Sequence, residues 1–324
     1  MVTARLVPLA DPDGWAAALR RIAHGPAHTH WYCSALAAGE DDIVLFEYAE
    51  GEHGAVCPLR LRPYRDSVDI VTPYGFGGFA THGDCRALPA AFRKFATAQG
   101  WVCGYLALHP VFPHPFGAAD GLEPGRTVYV LDLSASEDRL FAFMHGTHRY
   151  EIRRESDRLA SVVADTQALA DPLVVLYAQT LERVDAAATY RFAEATLRAW
   201  LSSPGCLALA LGRPLRAVVL CLYTADVADY FINATTPDGR ADTRILLWAA
   251  MLELKRRGVR YLNLGGGVSE GDALDAFKRR FGGQGYRAPV LKQVYLRERF
   301  SANCRLASVA EGVTGFFPPY RSSR

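Results

Sequence analysis

Short runs of apolar residues recur along the chain, and turn-forming residues separate them. Two strand-like runs at 43–48 and 55–61 flank a glycine-bearing turn at 51–54, which predicts a β-hairpin. A further run at 68–71 continues the predicted sheet. An amphipathic helix at 87–98 and a strand at 102–108 complete this first half. The pattern predicts an α/β arrangement with a mixed sheet.

The same order of elements returns about 160 residues later, as a duplication of pattern rather than of sequence. Strands at 206–211 and 215–223 flank a Gly-Arg-Pro turn, and a strand at 228–235, a helix at 245–257 and a strand at 259–264 follow. Between the two halves, 137–158 has the spacing of one long amphipathic helix or of two. At 324 residues the chain also exceeds one ordinary domain, so we expect a doubled architecture.

Composition narrows the class of protein. Hydrophobic residues make up 50% of the chain and charged residues 22%, which is typical of a globular protein, and a net charge of +2 gives no argument for DNA as a partner. The seven scattered cysteines form no Cys-x-x-Cys pair and are interpreted as reduced core residues. No apolar segment approaches the length of a membrane span. We therefore expect a cytoplasmic protein without membrane insertion.

No metal and no cofactor are expected. His28 and His30 alternate in the manner of a strand or loop, and no third ligand lies near them in the sequence.

The stretch 261–283 carries the strongest chemical signal. A buried strand is predicted to end at three consecutive glycines, and a short helix should follow. Ser269 and Asp272 are predicted to cap the start of that helix with a hydroxyl and a carboxylate, and Gly282 and Gly283 to supply the left-handed residue at its end. Lys278 lies beside Phe277 at the edge of the apolar face of that helix. Glycines let a ligand approach the backbone, and a fixed lysine suits a phosphate or a developing oxyanion. The alternative is a plain turn with a solvated lysine.

Three further segments are candidates for substrate binding. Tyr74 lies in an aromatic and glycine-rich loop at 72–78, which predicts either a pocket wall or a turn. Arg153 belongs to an arginine-rich strip that faces either a phosphate or solvent. Arg240 and Arg244 flank a polar turn that opens a helix, where free amides suit a phosphate unless the turn is simply capped.

The motif resembles the C-terminal signature of a known family. Leu-Asn-Leu-Gly-Gly-Gly at 262–267, followed by Asp-x-Leu-x-x-Phe-Lys-Arg-x-Phe-Gly at 272–282, is similar to the Fem-type (FemABX) aminoacyltransferases, a branch of the GNAT acyltransferase superfamily. The resemblance implies an α/β fold with mixed sheets, built as two tandem GNAT-like domains with a cleft between them. We place domain 1 at 1–135, with the tail 298–324 as its candidate completion, and domain 2 at 136–297.

The resemblance also implies an activity. Fem-type enzymes move an amino acid from aminoacyl-tRNA to an amine, so the expected acceptor is a cell-wall precursor or an intermediate of antibiotic biosynthesis. Lys278 matches the family lysine near the reacting acyl group. The predicted catalytic residues are Lys278, Asp272 and Asp275, and the predicted substrate-binding residues are Phe277, Asn263, Gly265, Gly266, Gly267, Tyr74, Arg153, Arg240 and Arg244.

Two departures from the family pattern leave the donor open. The chain has no segment that could form the long charged helical hairpin of many tRNA-using members. It also has no well-formed acyl-CoA loop, in which basic or polar residues alternate with glycines, because the turn before the helix at 245–257 contains a single glycine, Gly239. Acyl-CoA is therefore the alternative donor, and a non-catalytic GNAT-like binding protein is the third hypothesis.

Overall fold

The computed structural model describes residues 2–37, 42–312 and 315–322. The chain divides into two compact units, unit 1 with residues 1–125 and 287–324, and unit 2 with residues 126–286. The helices are α1 Pro12–Leu19, α2 His30–Ala37, α3 Leu88–Ala98, α4 Glu137–Phe143, α5 Gly146–Arg154, α6 Ala170–Arg183, α7 Glu194–Leu201, α8 Asp242–Arg256, α9 Ala273–Arg279 and α10 Arg297–Leu306. The strands are β1 Val2–Pro8, β2 Ile43–Glu50, β3 His53–Tyr64, β4 Ser67–Val71, β5 Ala80–His82, β6 Trp101–Ala107, β7 Leu122–Asp132, β8 Cys206–Leu211, β9 Ala217–Tyr223, β10 Val227–Thr235, β11 Tyr261–Asn263 and β12 Gln284–Val294.

Unit 1 is built on strands in the order β1-β2-β3-β4-β6-β12, with β5 added to β3. β2 to β4 are antiparallel neighbours, and β4 then pairs with β6 in parallel. A cluster of aromatic side chains fills the core, where the Phe92 ring lies 4.9 Å from that of Phe46 and 4.8 Å from that of Phe79. Edge-to-face packing at this spacing adds to the gain from burial.

The C-terminal segment of unit 1 is tied to β4 by a buried charge. Asp69 is fully buried, and Arg321 donates from Nε to its carboxylate at 2.5 Å while the Tyr320 hydroxyl donates to the other oxygen. Arg321 also donates to the backbone carbonyls of Arg62 and Pro63. A buried carboxylate needs such partners, so Asp69 helps to hold this segment in place.

Unit 2 is built on strands in the order β7-β11-β10-β9-β8. β8 to β10 are antiparallel neighbours, β10 pairs with β11 in parallel, and β11 pairs with β7 antiparallel. Every residue of β8 is buried, as are all but the last of β9, so both faces of this part of the sheet are covered. Residues of α8 such as Leu246 and Met251 pack into the core with Leu209 and Val219.

Most of the elements predicted from the pattern are present. Both predicted hairpins form, and the segment 137–158 contains two helices, α4 and α5, rather than one. The tail forms α10 and joins unit 1, although residues 313–314 and 323–324 of that predicted tail lie outside the described residues. All seven cysteines are buried and unbonded, which confirms their interpretation as core residues.

The predicted capping pair of α9 is confirmed for Asp272 and wrong for Ser269. The carboxylate of Asp272, not the hydroxyl of Ser269, caps α9, because Asp272 accepts from the Asp275 amide at 2.7 Å. Asp272 also accepts from the amides of Val268 and Ser269, so Ser269 is a donor to the cap rather than the cap itself. In the part of the chain that the structure describes, no helix has the length and apolar character needed to cross a membrane.

Candidate active site

The site forms where two parallel strands of unit 2 separate. β10 and β11 pair over only three positions, with Asp229 opposite Asn263 as the last pair. β10 continues to Thr235, past an irregularity near Tyr230, whereas β11 stops at Asn263 and the glycines follow. The separation leaves side chains on β10 facing the loop after β11.

A buried hydrogen-bond chain sets the start of the glycine loop. Asn263 donates from Nδ2 to Asp229 Oδ1 at 2.9 Å and accepts the Gly265 amide on Oδ1 at 2.9 Å. Burial raises the pKa of Asp229 to about 7, although the hydrogen bond from Asn263 opposes that rise. Asn263 therefore links the conformation of Gly265 to a carboxylate on the neighbouring strand.

The three glycines are required by close approach. Gly265 has φ +68°, in the region that favours glycine, and a Cβ there would lie 3.2 Å from Lys278 Nζ. A Cβ on Gly266 would meet the Thr127 carbonyl oxygen, and one on Gly267 would lie 2.9 Å from Asp272 Cγ. The loop is thus packed against β7 on one side and against the start of α9 on the other.

Asp272 holds this loop and α9 together. Its carboxylate accepts from the amides of Val268, Ser269 and Asp275 at 2.7–2.9 Å. These backbone hydrogen bonds lower the pKa of Asp272 because they stabilise the charged form. The carboxylate therefore remains ionised and fixes where α9 begins.

α9 places the Lys278 side chain inside the unit. Lys278 is only 8% exposed, and Nζ donates to the Gly266 carbonyl oxygen at 2.8 Å. Nζ also lies 5.9 Å from the centroid of the Tyr230 ring, within the range of a cation–π interaction. Burial lowers the pKa of Lys278 to about 8, against the opposing effect of the charges on Asp272 and Asp275. The alternative of a solvated surface lysine does not describe this side chain.

Asp275 lies on the same turn of α9 and is also buried. Its Oδ2 accepts a hydrogen bond from the Tyr129 hydroxyl of β7 at 3.1 Å. Burial raises the pKa of Tyr129, and the hydrogen bond to Asp275 acts in the same direction. The phenol therefore stays neutral and donates to the carboxylate.

Phe277 and Lys278 are adjacent in sequence, but the Phe277 ring packs into an aromatic cluster. Its centroid lies 5.4 Å from His148 of α5 and 5.2 Å from Phe281. Burial lowers the pKa of His148 to about 4, with the charge of Arg244 adding to the effect, so the imidazole is neutral. The cluster fixes one face of α9 and thereby the direction of Lys278.

The structure gathers part of the predicted residue set around Lys278. Lys278, Asp272, Asp275, Asn263 and the three glycines lie together, as described above. Arg244 of α8 is bound to Glu151 of α5 at 2.9 Å, and Arg153 stacks on Phe141 with its guanidinium 5.0 Å from the ring centroid. Arg240 is exposed on the short turn before α8, and Tyr74 belongs to unit 1.

Three residues that contact this site were not singled out from the sequence: Asp229, Tyr230 and Tyr129. Asp229 carries a usable signal, because an aspartate in the largely buried strand Val227–Thr235 is costly unless it has partners. The two tyrosines look like ordinary strand residues, and only the pairing of the strands brings them to the site.

No protein-family model and no curated protein sequence matches the chain. The fold is nevertheless similar to that of FemX, of the C-terminal domain of a putative lysylphosphatidylglycerol synthetase and of L-PGS, as the comparison with solved structures shows. This confirms the resemblance at the level of the fold, and it confirms the predicted α/β class with mixed sheets.

Three solved structures illustrate the likeness. FemX is 11% identical, with coverage of 93% of this chain and 99% of its own and a TM-score of 0.65. The C-terminal domain of a putative lysylphosphatidylglycerol synthetase from Agrobacterium fabrum is 16% identical, with coverage of 95% and 99% and a TM-score of 0.59. L-PGS from Bacillus licheniformis is 11% identical, with coverage of 88% and 92% and a TM-score of 0.57.

Proposed function

We propose that this protein is a Fem-type aminoacyltransferase, which moves an amino acid from aminoacyl-tRNA to an amine and forms an amide. The observation that carries the proposal is the buried ammonium of Lys278, held against a glycine loop at the point where β10 and β11 separate. The names of two structural neighbours, FemX and a putative lysylphosphatidylglycerol synthetase, agree with aminoacyl transfer. The acceptor class is a cell-wall precursor or a natural-product intermediate.

The reaction needs little more than positioning and charge stabilisation. The acceptor nitrogen attacks the ester carbonyl carbon, the C–N bond forms, and the carbonyl oxygen becomes an oxyanion. When the tetrahedral intermediate collapses, the bond to the tRNA 3′-oxygen breaks, and the proton lost by the amine ends on that oxygen. Because the ester is already activated, most of the barrier reduction comes from placing the amine and from stabilising the oxyanion.

Lys278 supplies the stabilising charge. One of its three N–H donors is used by the Gly266 carbonyl, so the others are available to a substrate oxygen. With its pKa lowered to about 8, the side chain is still mostly protonated at neutral pH. A cation in a buried site acts more strongly on a developing charge than the same cation in water. The amides of the glycine loop are further candidate donors to that oxygen.

Asp272 and Asp275 differ in how well each could accept and pass on the proton of the attacking amine. Asp272 already accepts three backbone amides and has a lowered pKa, which makes it a weak base. Asp275 keeps more of its accepting capacity, because only Tyr129 Oη donates to one of its oxygens at hydrogen-bond distance in the described residues. Asp275 or a water molecule is therefore the better candidate for the relay.

The start of α8 disfavours coenzyme A as the donor. The Gly239 amide donates within its own turn, to Thr236 O at 3.2 Å and to Thr236 Oγ1 at 3.1 Å. The buried carboxylate of Asp242 occupies the first turn of α8, where a pyrophosphate would otherwise meet the positive end of the helix dipole. These features support a tRNA donor over acyl-CoA.

A transfer assay with two donors tests the proposal. Purified protein is incubated with an amine acceptor panel and with tRNA charged by synthetases, and amide product is measured with and without ribonuclease. We expect product only with charged tRNA and none after ribonuclease treatment. Product from acyl-CoA with release of free thiol would replace the tRNA donor by coenzyme A. Ligand binding without product from either donor would contradict the transferase function.

A further inference from the structure

Unit 2 contains a second concave site, at the turn between β8 and β9. A cavity of about 560 Å³ opens there, within the range of about 300–1,000 Å³ that is usual for ligand pockets. It is lined by Arg158, Ser161, Val163, Leu211, Gly212, Arg213, Pro214, Leu215 and Arg216. We call this the arginine cavity, because its lining includes three arginines and no acidic residue.

Two of the arginines are fixed by one buried carboxylate behind the lining. Asp242, in the first turn of α8, is 2% exposed. It accepts a hydrogen bond from Arg158 at 2.5 Å, and it forms an ion pair with Arg216, whose Nη2 lies 3.1 Å from Oδ2. Arg158 also binds Glu155 at 2.7 Å. The two guanidinium groups are thus held in place before any ligand arrives, which reduces the entropy that a ligand must offset.

The charges around the cavity do not cancel. Three arginines line it, and the two nearby carboxylates are those of Asp242 and of Glu155, which is also paired with Arg154, so the local charge is positive. Arg213 is exposed at the tip of the turn. Nε of Arg216 is buried and has no hydrogen-bond acceptor among the described residues, which is a costly state for a donor.

The remaining walls are apolar, with side chains of Val163, Leu211 and Leu215. A ligand that fits must combine an anionic group with a less polar portion. Guanidinium forks match the oxygens of phosphate, and they stack on planar rings. The chemistry of the cavity therefore favours a phosphate attached to a nucleoside over a simple carboxylic acid.

Strand geometry relates the cavity to Lys278. Ala217, next to Arg216, pairs with Thr235 of β10, and Tyr230 of the same strand lies beside Lys278 Nζ. Thr235 lies five positions after Tyr230, which at about 3.3 Å per residue is roughly 16 Å. A donor that engages both places must be extended, as are the 3′ end of a tRNA and coenzyme A.

We propose that the arginine cavity binds a phosphate group in the nucleotide portion of the acyl donor. The inference rests on the proposed acyl transfer at Lys278 and adds where the donor is held. The phosphate would be bound by arginines of the β8–β9 turn and of the segment after α5, and not by the Gly239 amide before α8, which is already engaged.

Binding of three probes tests this assignment: the trinucleotide CCA as RNA, coenzyme A and inorganic pyrophosphate. Affinity is measured by calorimetry for the full chain and for Arg213→Ala, Arg216→Gln and a charge-matched control, Arg139→Ala. Arg139 is exposed in α4 and contacts only the Phe143 ring through its guanidinium in the described structure. We expect about tenfold weaker binding and a shallower salt dependence in the two cavity variants, and wild-type affinity in the control.

The outcomes separate this inference from the proposed function. If the cavity variants weaken the binding of CCA or of coenzyme A, the result supports phosphate binding in the arginine cavity. Whichever of the two probes binds more strongly then identifies the donor. Unchanged affinity in both variants, or no binding of any probe at millimolar concentration, overturns the inference. The Lys278→Met variant should bind the probes with wild-type affinity. A loss of transfer in that variant is therefore no evidence against phosphate binding in the arginine cavity. If the Arg216→Gln variant fails to fold, the test relies on the Arg213→Ala variant, whose substitution lies at an exposed position.

Discussion

The two units repeat one strand pattern but differ at the point where the parallel strands separate. In unit 1, β4 and β6 stay bound past the end of β4, because Thr72 donates to the Tyr105 carbonyl and accepts the Ala107 amide on its hydroxyl. The Gly78 amide then bonds the Ala107 carbonyl at 2.9 Å, so the following loop closes the gap. In unit 2, β10 and β11 part after Asp229, and a buried lysine lies at that point.

The comparison separates architecture from chemistry. Both units have three antiparallel strands followed by a parallel one, so the pattern alone produces no site. What differs is the sequence after the last strand. In unit 1 the sequence after β6 continues through His109. Burial lowers the pKa of His109 to about 3, so its imidazole carries no charge. In unit 2 the three glycines make room for a cation.

The largest effect expected in unit 1 concerns stability. Arg321→Ala leaves the buried Asp69 without its guanidinium partner, and we expect the free energy of unfolding to fall by about 3 kcal/mol. Arg299→Ala is the matched control, since Arg299 binds Asp66 at 2.6 Å in an exposed pair that should contribute less than about 1 kcal/mol. Denaturant unfolding measures both. Equal losses in the two variants would contradict the anchoring role of Asp69.

In unit 2, the hydrogen bonds that link Asp229, Asn263 and Gly265 should affect the transfer rate and not only the stability of the fold. Asn263→Ala removes the acceptor of the Gly265 amide, and we expect about a tenfold lower transfer rate because the loop beside Lys278 loses its fixed conformation. Asp229→Asn keeps an oxygen acceptor for Asn263 and should cost less than about threefold. Single-turnover rates distinguish the two, and a larger loss in Asp229→Asn would show that charge, not geometry, matters there.

A smaller effect is expected from pH. Because burial lowers the pKa of Lys278 to about 8, about half of the ammonium is lost at pH 8, and the contribution of Lys278 to transfer should fall by about twofold between pH 7 and 8. Lys278→Arg keeps its charge over this range and removes that fall. The ratio of the two rates at each pH is the measurement. A constant ratio from pH 7 to 9 would contradict the lowered pKa.

The lowered pKa also has a consequence for stability. The unfolded chain binds more protons than the folded one between pH 8 and the usual lysine pKa of about 10.4, so folding is more favourable as pH rises through that window. The cost of the buried cation is fully present below pH 8. A buried lysine that destabilises the fold in this way is typical of a functional site rather than of a residue that only packs in the core.

The sequence predicted the succession of elements because glycine, proline and polar turns mark both hairpins, and pattern repetition implied the doubling. It predicted a capping pair of Ser269 and Asp272 at the start of α9, and only the folded loop shows that Asp272 receives three amides, one of them from Ser269. The burial of Lys278 was left open, since the spacing of α9 placed it at the edge of an apolar face. Asp229 is marked as unusual by its position in a buried strand, but its partner Asn263 is reached through strand pairing, and Tyr230 likewise reaches the site through the fold and not through sequence spacing.

The central claim is that the Lys278 ammonium stabilises the transition state of acyl transfer. The most direct test is the single-turnover transfer rate of Lys278→Met against that of Lys255→Met, whose Nζ likewise donates to a backbone carbonyl, Leu133 O, at 3.0 Å. We predict a loss of about 100- to 1,000-fold for Lys278→Met, with unfolding stability not reduced, and a change of less than about twofold for Lys255→Met. A Lys278→Met rate close to that of the wild type would contradict the account.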